Sequence, residues 1–290
     1  TNCDFSLQST SKPLTYCIAR DLIGHDTVHA KVGYEPSGRA FNAFVLDDEG
    51  LPHNPMINAG AIMIASLIKE GEEPSERLKT IKKTLTKMAG GKKIGDSAEI
   101  FSSEKYHADR NKALAYYMRE SGAFGKKVNI DETLDLYFQT CSILVNCESS
   151  AIIAGTLANN GYCPTTGEKI FNPEVVRDCL SLMFLCGMYD YSGRFAFEIG
   201  LPAKSGVSGC LFLVVPNVMG ICIWSPRLDQ YGNTVRGVKF CQELVKRLDI
   251  HMFHKMVANK DAKLTVETVL YLSSQGKLEK LRKLHSKFLF

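Results

Sequence analysis

Arginine-rich runs, long apolar stretches and closely paired cysteines are all missing from this 290-residue chain, and each absence removes a class of function. The 35 Lys and Arg against 31 Asp and Glu leave a net charge of only +4, spread along the sequence, so nucleic-acid binding is not expected. No apolar stretch approaches the roughly 20 residues that cross a bilayer, which argues against membrane insertion. The ten cysteines are scattered, several within apolar runs, and none forms a Cys-x-x-Cys pair. They read as buried thiols of a reducing compartment rather than a disulfide framework. No Gly-x-Gly-x-x-Gly or Walker element is present, and no cofactor is implied. His25-Asp26-Thr27-Val28-His29 imitates a zinc-protease spacing, yet its second position is not glutamate, no third ligand is evident, and Gly24 points to a loop. No metal site is expected. The chain opens on Thr1 without a signal or transit sequence, so any targeting information is expected to have been trimmed.

What is present is a hydrophobic content of 45%, enough for a full-sized core in one large domain with a small addition. Apolar positions Leu14, Cys17, Ile18 and Leu22 recur at helical spacing and predict a helix opening at Ser9 and running to Ile23. Phe41 to Leu46 reads as a short strand entering the turn Asp47-Asp48-Glu49-Gly50. Further helices are predicted over Asn58 to Ser66, Pro74 to Met88, Asp109 to Glu120, Asp131 to Ser142, Glu148 to Asn159, Pro173 to Cys186 and Val235 to Leu248. Strands are predicted over Arg194 to Ile199, Ser208 to Val215 and Met219 to Trp224, with Pro216-Asn217 turning the last two into a hairpin. The fold class is therefore α+β: an antiparallel sheet with flanking helices plus a helical subdomain. Beyond Phe253 two short amphipathic patterns, Leu264 to Ser273 and Leu278 to Phe288, predict an appended helix pair too small to bury much surface alone.

Two short motifs carry chemistry. Ser9-x-x-Lys12 places an amine three residues from a hydroxyl on one helix face, and Lys204-Ser205-Gly206 precedes the apolar run from Cys210 to Val215. Together they are the Ser-x-x-Lys and Lys-Ser-Gly elements of serine acyl-transfer sites of the β-lactamase and penicillin-binding-protein kind. Ser-x-x-Lys alone is weak, since it recurs at Ser66/Lys69, Ser102/Lys105 and Ser274/Lys277; Lys-Ser-Gly occurs once. A serine hydroxyl needs a base, and Lys12 can serve only when neutral. Burial and a second cation, Lys204, are the expected means of lowering its pKa. The Ser9 N–H and one from the strand after Gly206 are suited to hold an oxyanion, each contributing about 3 kcal/mol to the transition state. Tyr137 and Tyr189 are candidate proton donors to a leaving amine.

Gln8-Ser9-x-x-Lys12-Pro13, Glu35-Pro36-Ser37-Gly38, Pro52-His53-Asn54-Pro55-Met56-x-Asn58-Ala59-Gly60-Ala61, Ser103-Glu104, Asp109-Arg110-Asn111, Cys186-Gly187-Met188-Tyr189-Asp190 and Gly200 to Val207 resemble the serine-dependent glutaminases, most closely the animal, phosphate-activated type. The resemblance covers residues 1–252 and implies a β-lactamase/transpeptidase-like catalytic domain that hydrolyses L-glutamine through a covalent glutamyl-Ser9 intermediate. It implies Ser9 as nucleophile, Lys12 as base, and Tyr137 and Tyr189 as proton-transfer and positioning groups. Gln8, Ser9, Asn58, Glu104, Asn111, Tyr137, Tyr189 and Val207 would line the glutamine pocket, supported by Lys204, Ser205 and Gly206. Glu104 suits the substrate ammonium, and the amides and hydroxyls suit the rest. Residues 253–290 resemble a linker and the start of an ankyrin repeat region. Family membership further implies inorganic phosphate as an activator, homodimers or homotetramers, and a mitochondrial location.

The sequence departs from the family in two places. Eight residues precede Ser9, where family members carry an edge of the sheet and another substrate-contacting tyrosine, so the catalytic domain is expected to be incomplete at its N-terminal end. Ala43 and Phe44 replace the basic and leucine residues usual in the activation loop, Gly38 to His53. Two alternatives stay open: a truncated, weakly active or non-catalytic homologue acting in assembly, and a β-lactam or peptide acyl transferase built on the same frame.

Overall fold

The computed structural model describes residues 3–253. The chain begins with β1 (Phe5–Ser6), a 3-10 turn over Gln8–Ser11 and α1 (Lys12–Ile23), followed by α2 (His25–His29), α3 (Asn58–Leu67), α4 (Pro74–Met88), β2 (Gly95–Asp96), α5 (Ala98–Tyr106), α6 (Asp109–Glu120), α7 (Ile130–Cys141) and β3 (Ile143–Val145). Then come α8 (Cys147–Ala158), α9 (Pro173–Cys186), α10 (Ser192–Glu198), β4 (Ala203–Ser205), β5 (Cys210–Val215), β6 (Met219–Trp224) and α11 (Val235–Arg247). The α+β class expected from the sequence is the one observed. No helix among the described residues is long and apolar enough to cross a membrane. The helix pair predicted beyond Phe253 lies outside the described residues.

Two small antiparallel sheets organise the molecule, in orders β1-β3-β2 and β4-β5-β6. β5 is the central strand of its sheet and is buried on both faces, which is why its sequence is an unbroken apolar run. Its side chains alternate between two cores: Cys210, Phe212 and Val214 join the large helical core, while Leu211, Leu213 and Val215 pack with Met188, Leu201, Val238 and Cys241 behind the sheet. α3 is buried over all ten residues, as its small apolar sequence requires, and forms the centre of the helical part. α8 lies directly on β6. An added Cβ at Gly220 would fall 2.0 Å from the Gly155 nitrogen, so these two backbones touch without an intervening side chain.

Four local expectations are corrected. Phe41 to Leu46 is irregular, not a strand; no strand lies beside it, and the Phe41 carbonyl instead accepts a hydrogen bond from the Asn58 N–H at 3.0 Å. Arg194 to Glu198 belongs to α10, with Ile199 its C-terminal cap, rather than to a strand. Its Phe195, Phe197, Ile199 alternation imitates a strand, but Phe197 is 85% exposed while Phe195 is buried, and six residues are too few to separate the two periods. His25 to His29 forms a short helix instead of a loop. α5 was not expected, because it has no fully buried residue and so writes no apolar stripe.

The backbone contact between α8 and β6 yields a matched pair of substitutions. Gly220→Ala lowers stability by about 2 to 3 kcal/mol, since the new methyl has only backbone to push against. Gly193→Ala, which meets nothing within 4 Å, stays within about 0.5 kcal/mol of the parent. Guanidinium denaturation of the two variants checks the contrast.

Candidate active site

The 3-10 turn places Ser9 and Lys12 at the junction of both sheets. The Leu7 N–H bonds the Ile143 carbonyl at 2.9 Å, tying the turn to β3, and the Thr10 N–H and hydroxyl both bond the Leu7 carbonyl. On the other side, the end of β4 presses on the same turn: a Cβ at Gly206 would meet the Leu7 carbonyl oxygen at 3.0 Å and the Thr10 nitrogen at 3.4 Å. Glycine in Lys204-Ser205-Gly206 therefore allows a close approach of the two motifs that a side chain would crowd. Two residues here adopt left-handed backbone without being glycine, Gln8 at φ 47° and Tyr189 at φ 55°. Such conformations persist only where the surroundings enforce them, and both flank Ser9.

The expected site residues converge. The Tyr189 hydroxyl is hydrogen-bonded to the Ser9 side chain and donates to the Ser205 carbonyl at 3.1 Å. Lys204 donates to that same carbonyl at 2.9 Å, with its Nζ 4.6 Å from the centre of the Tyr189 ring. Lys12 Nζ donates to Asn58 Oδ1 at 2.7 Å, and the Tyr137 hydroxyl reaches the same oxygen at 3.4 Å. Asn58 Nδ2 in turn donates to Asn111 Oδ1 at 2.9 Å, and Gln8 Nε2 donates to Glu104 Oε1 at 3.0 Å. Asn58 opens α3 but its side chain caps nothing, being spent on this network. Val207 follows Gly206 in the turn before β5, its side chain about half exposed. The Ser205 hydroxyl is buried beside these groups without a hydrogen-bond partner among the described residues.

Burial dominates the electrostatics. It lowers Lys12 from 10.5 to about 8, against the pull of Cys141 and Glu104, which act to raise it. Lys204 is pushed well below its ordinary value, first by burial and then by the charge of Lys12. The like-charge coupling expected between the two amines is present and is expressed on Lys204, while burial is the cause that lowers Lys12. Burial also raises Tyr189 to about 12, partly opposed by the Ser9 hydrogen bond, and raises Tyr137 well above the usual phenol range.

Two residues of the site escaped sequence reasoning. The Cys141 thiol is buried beside Lys12, Glu104 and Tyr137, and burial raises it to about 12. The signal for it was available, since Cys141 lies one helical turn beyond Tyr137 on the same face of α7. Phe41 stands over the site, its ring centre 4.8 Å from that of Tyr189 and 5.9 Å from Lys12 Nζ. Nothing in its local sequence announces that position. A cavity of about 380 Å³, lined by Pro36, Arg39, Met56 and Cys186 among others, shares Phe41 and Tyr189 with the site but does not reach Ser9 or Lys12. The two histidines of the apparent zinc motif are occupied otherwise: His29 bonds the Tyr16 hydroxyl and the Val32 carbonyl, and His25 approaches Asp178 at 3.3 Å.

Comparison with known proteins gives the family. The family model for glutaminases matches residues 1–253. The putative glutaminase 3 of Caenorhabditis elegans is 53% identical over 260 residues, covering 90% of this chain and 45% of that protein. The mitochondrial liver isoform of glutaminase from Mus musculus is 52% identical over 256 residues, covering 88% of this chain and 42% of its own length. The chain thus spans less than half of either animal relative. A crystal structure of a Bacillus glutaminase superposes with a TM-score of 0.82 at 36% identity, over 87% of this chain and 86% of the other, and carries the same β-lactamase-like fold. With a family match over nearly all the described residues and relatives above half identity, the chain belongs to the glutaminase family.

Proposed function

We propose that the protein hydrolyses L-glutamine to L-glutamate and ammonia through a glutamyl ester on Ser9. The observation that carries this reading is the placement of Lys12, whose buried amine titrates near 8 and gives a proton to Asn58 Oδ1. A neutral amine held this way keeps its lone pair for the Ser9 proton. The Ser9 oxygen attacks the side-chain carbonyl of glutamine, and the oxyanion is held by the Ser9 and Val207 N–H groups. Collapse of the tetrahedral intermediate releases ammonia, protonated from Lys12 with the Tyr189 hydroxyl, bonded to Ser9, as the bridge. Water, deprotonated by Lys12, then cleaves the ester.

Free glutamine brings an ammonium, a carboxylate and a neutral amide. Glu104 suits the ammonium, while Gln8, Asn58, Asn111 and Tyr137 supply amide and hydroxyl donors for the rest. Family membership supports extending three properties to this chain: activation by inorganic phosphate, assembly into homodimers or homotetramers, and, in keeping with the mouse relative's designation as mitochondrial, residence in that organelle.

Glutamate release with and without phosphate tests the reading, and Ser9→Ala is expected to lose about 10³-fold or more of it. Activity surviving in that variant removes the proposed nucleophile. Glu104→Gln raises the KM for glutamine by about tenfold or more with a smaller effect on kcat; an unchanged KM assigns the ammonium to another group.

The pH dependence follows from the base. With Lys12 protonated below about 8, kcat/KM rises with pH and levels above it. The corresponding limb of kcat lies at lower pH, because a bound ammonium offsets the Glu104 charge that holds Lys12 up. The same shift governs stability. Between about 8 and 10.5 the unfolded chain binds the Lys12 proton and the folded one does not, so this group's contribution grows as pH rises through that window and is lost as it falls through about 8. Lys12→Met therefore abolishes turnover yet stabilises the fold at pH 7 by on the order of 3 kcal/mol. The gain shrinks towards pH 10.5, and chemical denaturation at both pH values measures it.

A further inference from the structure

Tyr189 sits in a backbone conformation that a tyrosine rarely adopts, φ 55°, and something must hold it there. Ring contacts with Phe41 and Lys204 Nζ do not set a backbone angle. That angle is the rotation of the Met188–Tyr189 peptide about the Tyr189 N–Cα bond, and the Met188 carbonyl is the handle on that peptide. The Tyr191 N–H bonds this carbonyl at 3.2 Å, and Asn233 Nδ2, from the loop between β6 and α11, bonds it at 3.3 Å. Ser192 secures the peptides on either side, its hydroxyl accepting from the Met188 N–H at 2.9 Å and donating to the Tyr189 carbonyl at 2.7 Å.

The loop that delivers Asn233 is tied to itself. Asp229 Oδ1 accepts the N–H groups of Tyr231 at 2.9 Å and Asn233 at 3.0 Å, the Asp229 N–H donates to the Asn233 carbonyl at 2.7 Å, and Gly232 closes the turn at φ 88°. The same loop packs on Tyr189: a Cβ at Gly232 would lie 3.7 Å from Tyr189 Cε2. Asn233 is fully buried, and its Oδ1 has no hydrogen-bond partner among the described residues. An apolar side chain would fill the space without that cost, so the amide donor is what the position uses.

We propose that Asn233 is a positioning residue for Tyr189, holding the Met188 carbonyl so that the left-handed backbone keeps the phenol on the Ser205 carbonyl beside Lys204. The Tyr189 hydroxyl donates to that carbonyl at 3.1 Å and Lys204 donates to it at 2.9 Å, so the phenol and the amine share one anchor. Without Nδ2 the peptide is free to rotate to negative φ, which turns the Cα–Cβ bond and carries the phenol off that anchor. A neutral hydrogen bond shifts such an equilibrium by about tenfold.

The inference rests on the reading of Tyr189 as the proton bridge to the leaving ammonia, and the tests separate the two. Asn233→Leu keeps the side-chain volume and removes the donor; Asn233→Ala removes both. Each is expected to lower kcat about tenfold with KM within about threefold of the parent. In a Tyr189→Phe background the same substitutions cost less than about twofold, because the hydroxyl they misplace is gone. Tyrosine labelled with 13C at Cζ, with Tyr189 assigned from the Tyr189→Phe spectrum, supplies a readout that needs no turnover. Burial raises the parent phenol to about 12, so at about pH 10.5 it is still protonated, whereas in the leucine and alanine variants it ionises towards its ordinary value. A parent chain without glutaminase activity overturns the proposed function, and the titration still decides the role of Asn233. Equal losses of kcat in both backgrounds with the Tyr189 titration unmoved overturn this inference. So does a leucine variant that keeps the parent's kcat and Tyr189 titration, whether or not the alanine variant folds.

Discussion

Lys12 and Lys204 give their protons to an amide and a peptide carbonyl instead of to carboxylates, inside a region almost closed to water. Taking an amine from water without a counter-charge costs several kcal/mol unless the group sheds its proton, and both lysines are displaced in that direction. The fold has to supply the difference. It does so with α3, wholly buried and apolar apart from Asn58 and Ser66, and with β5, whose two faces feed separate cores. The hydrophobic mass of the helical part and the polar economy of the site are thus one arrangement: the first keeps the amines dry, and dryness lowers their pKa values.

Strain is concentrated where that arrangement is tightest. Gln8 and Tyr189 hold left-handed backbone beside Ser9, and Gly206 lets the turn approach closely because it has no side chain to crowd the Leu7 carbonyl. Such conformations cost of order 1 to 3 kcal/mol each. Here they aim two side chains: Gln8 onto Glu104, and Tyr189 between Ser9 and the Ser205 carbonyl. Asn233 steadies the second, its amide donating to the Met188 carbonyl at 3.3 Å just before the strained residue.

The sequence was most legible where burial is one-sided and long. α4, α6 and α9 begin and end where periodicity, Pro74, Asp109 and Pro173 place them, and the β5–β6 hairpin turns at Pro216-Asn217 as its chemistry dictates. It was least legible in short segments whose state is decided by distant partners. Phe195 and Phe197 spell a strand but lie on a helix that packs only Phe195 with Met188 and Leu201, and α5, lacking a buried face, leaves no pattern at all. In the site, residue types at motif spacing identified Ser9, Lys12, Lys204 and both tyrosines. The depressed pKa of Lys204 was not legible, because it depends on how completely β4 is covered. Cys141 was hidden for the opposite reason: among ten scattered cysteines, a thiol buried beside charged groups looks like any packing residue until its neighbours are known.

Glu104 gives the site its internal logic. Its charge raises the Lys12 pKa that burial lowers. In the free protein its partner is the neutral Gln8 amide, which leaves the charge uncancelled. On the proposed reading, a substrate ammonium seated on Glu104 removes that opposition, so Lys12 loses affinity for its proton as a scissile amide arrives. Lys204 responds in the opposite sense: the charge of Lys12 is one of the causes that depress it, so neutralising Lys12 lets Lys204 hold a proton more readily. On the same reading the zwitterionic substrate does more than fill the pocket: its amino group, several bonds away from the amide to be cleaved, would complete the conversion of a buried lysine into a base and tie activation to a free amino acid.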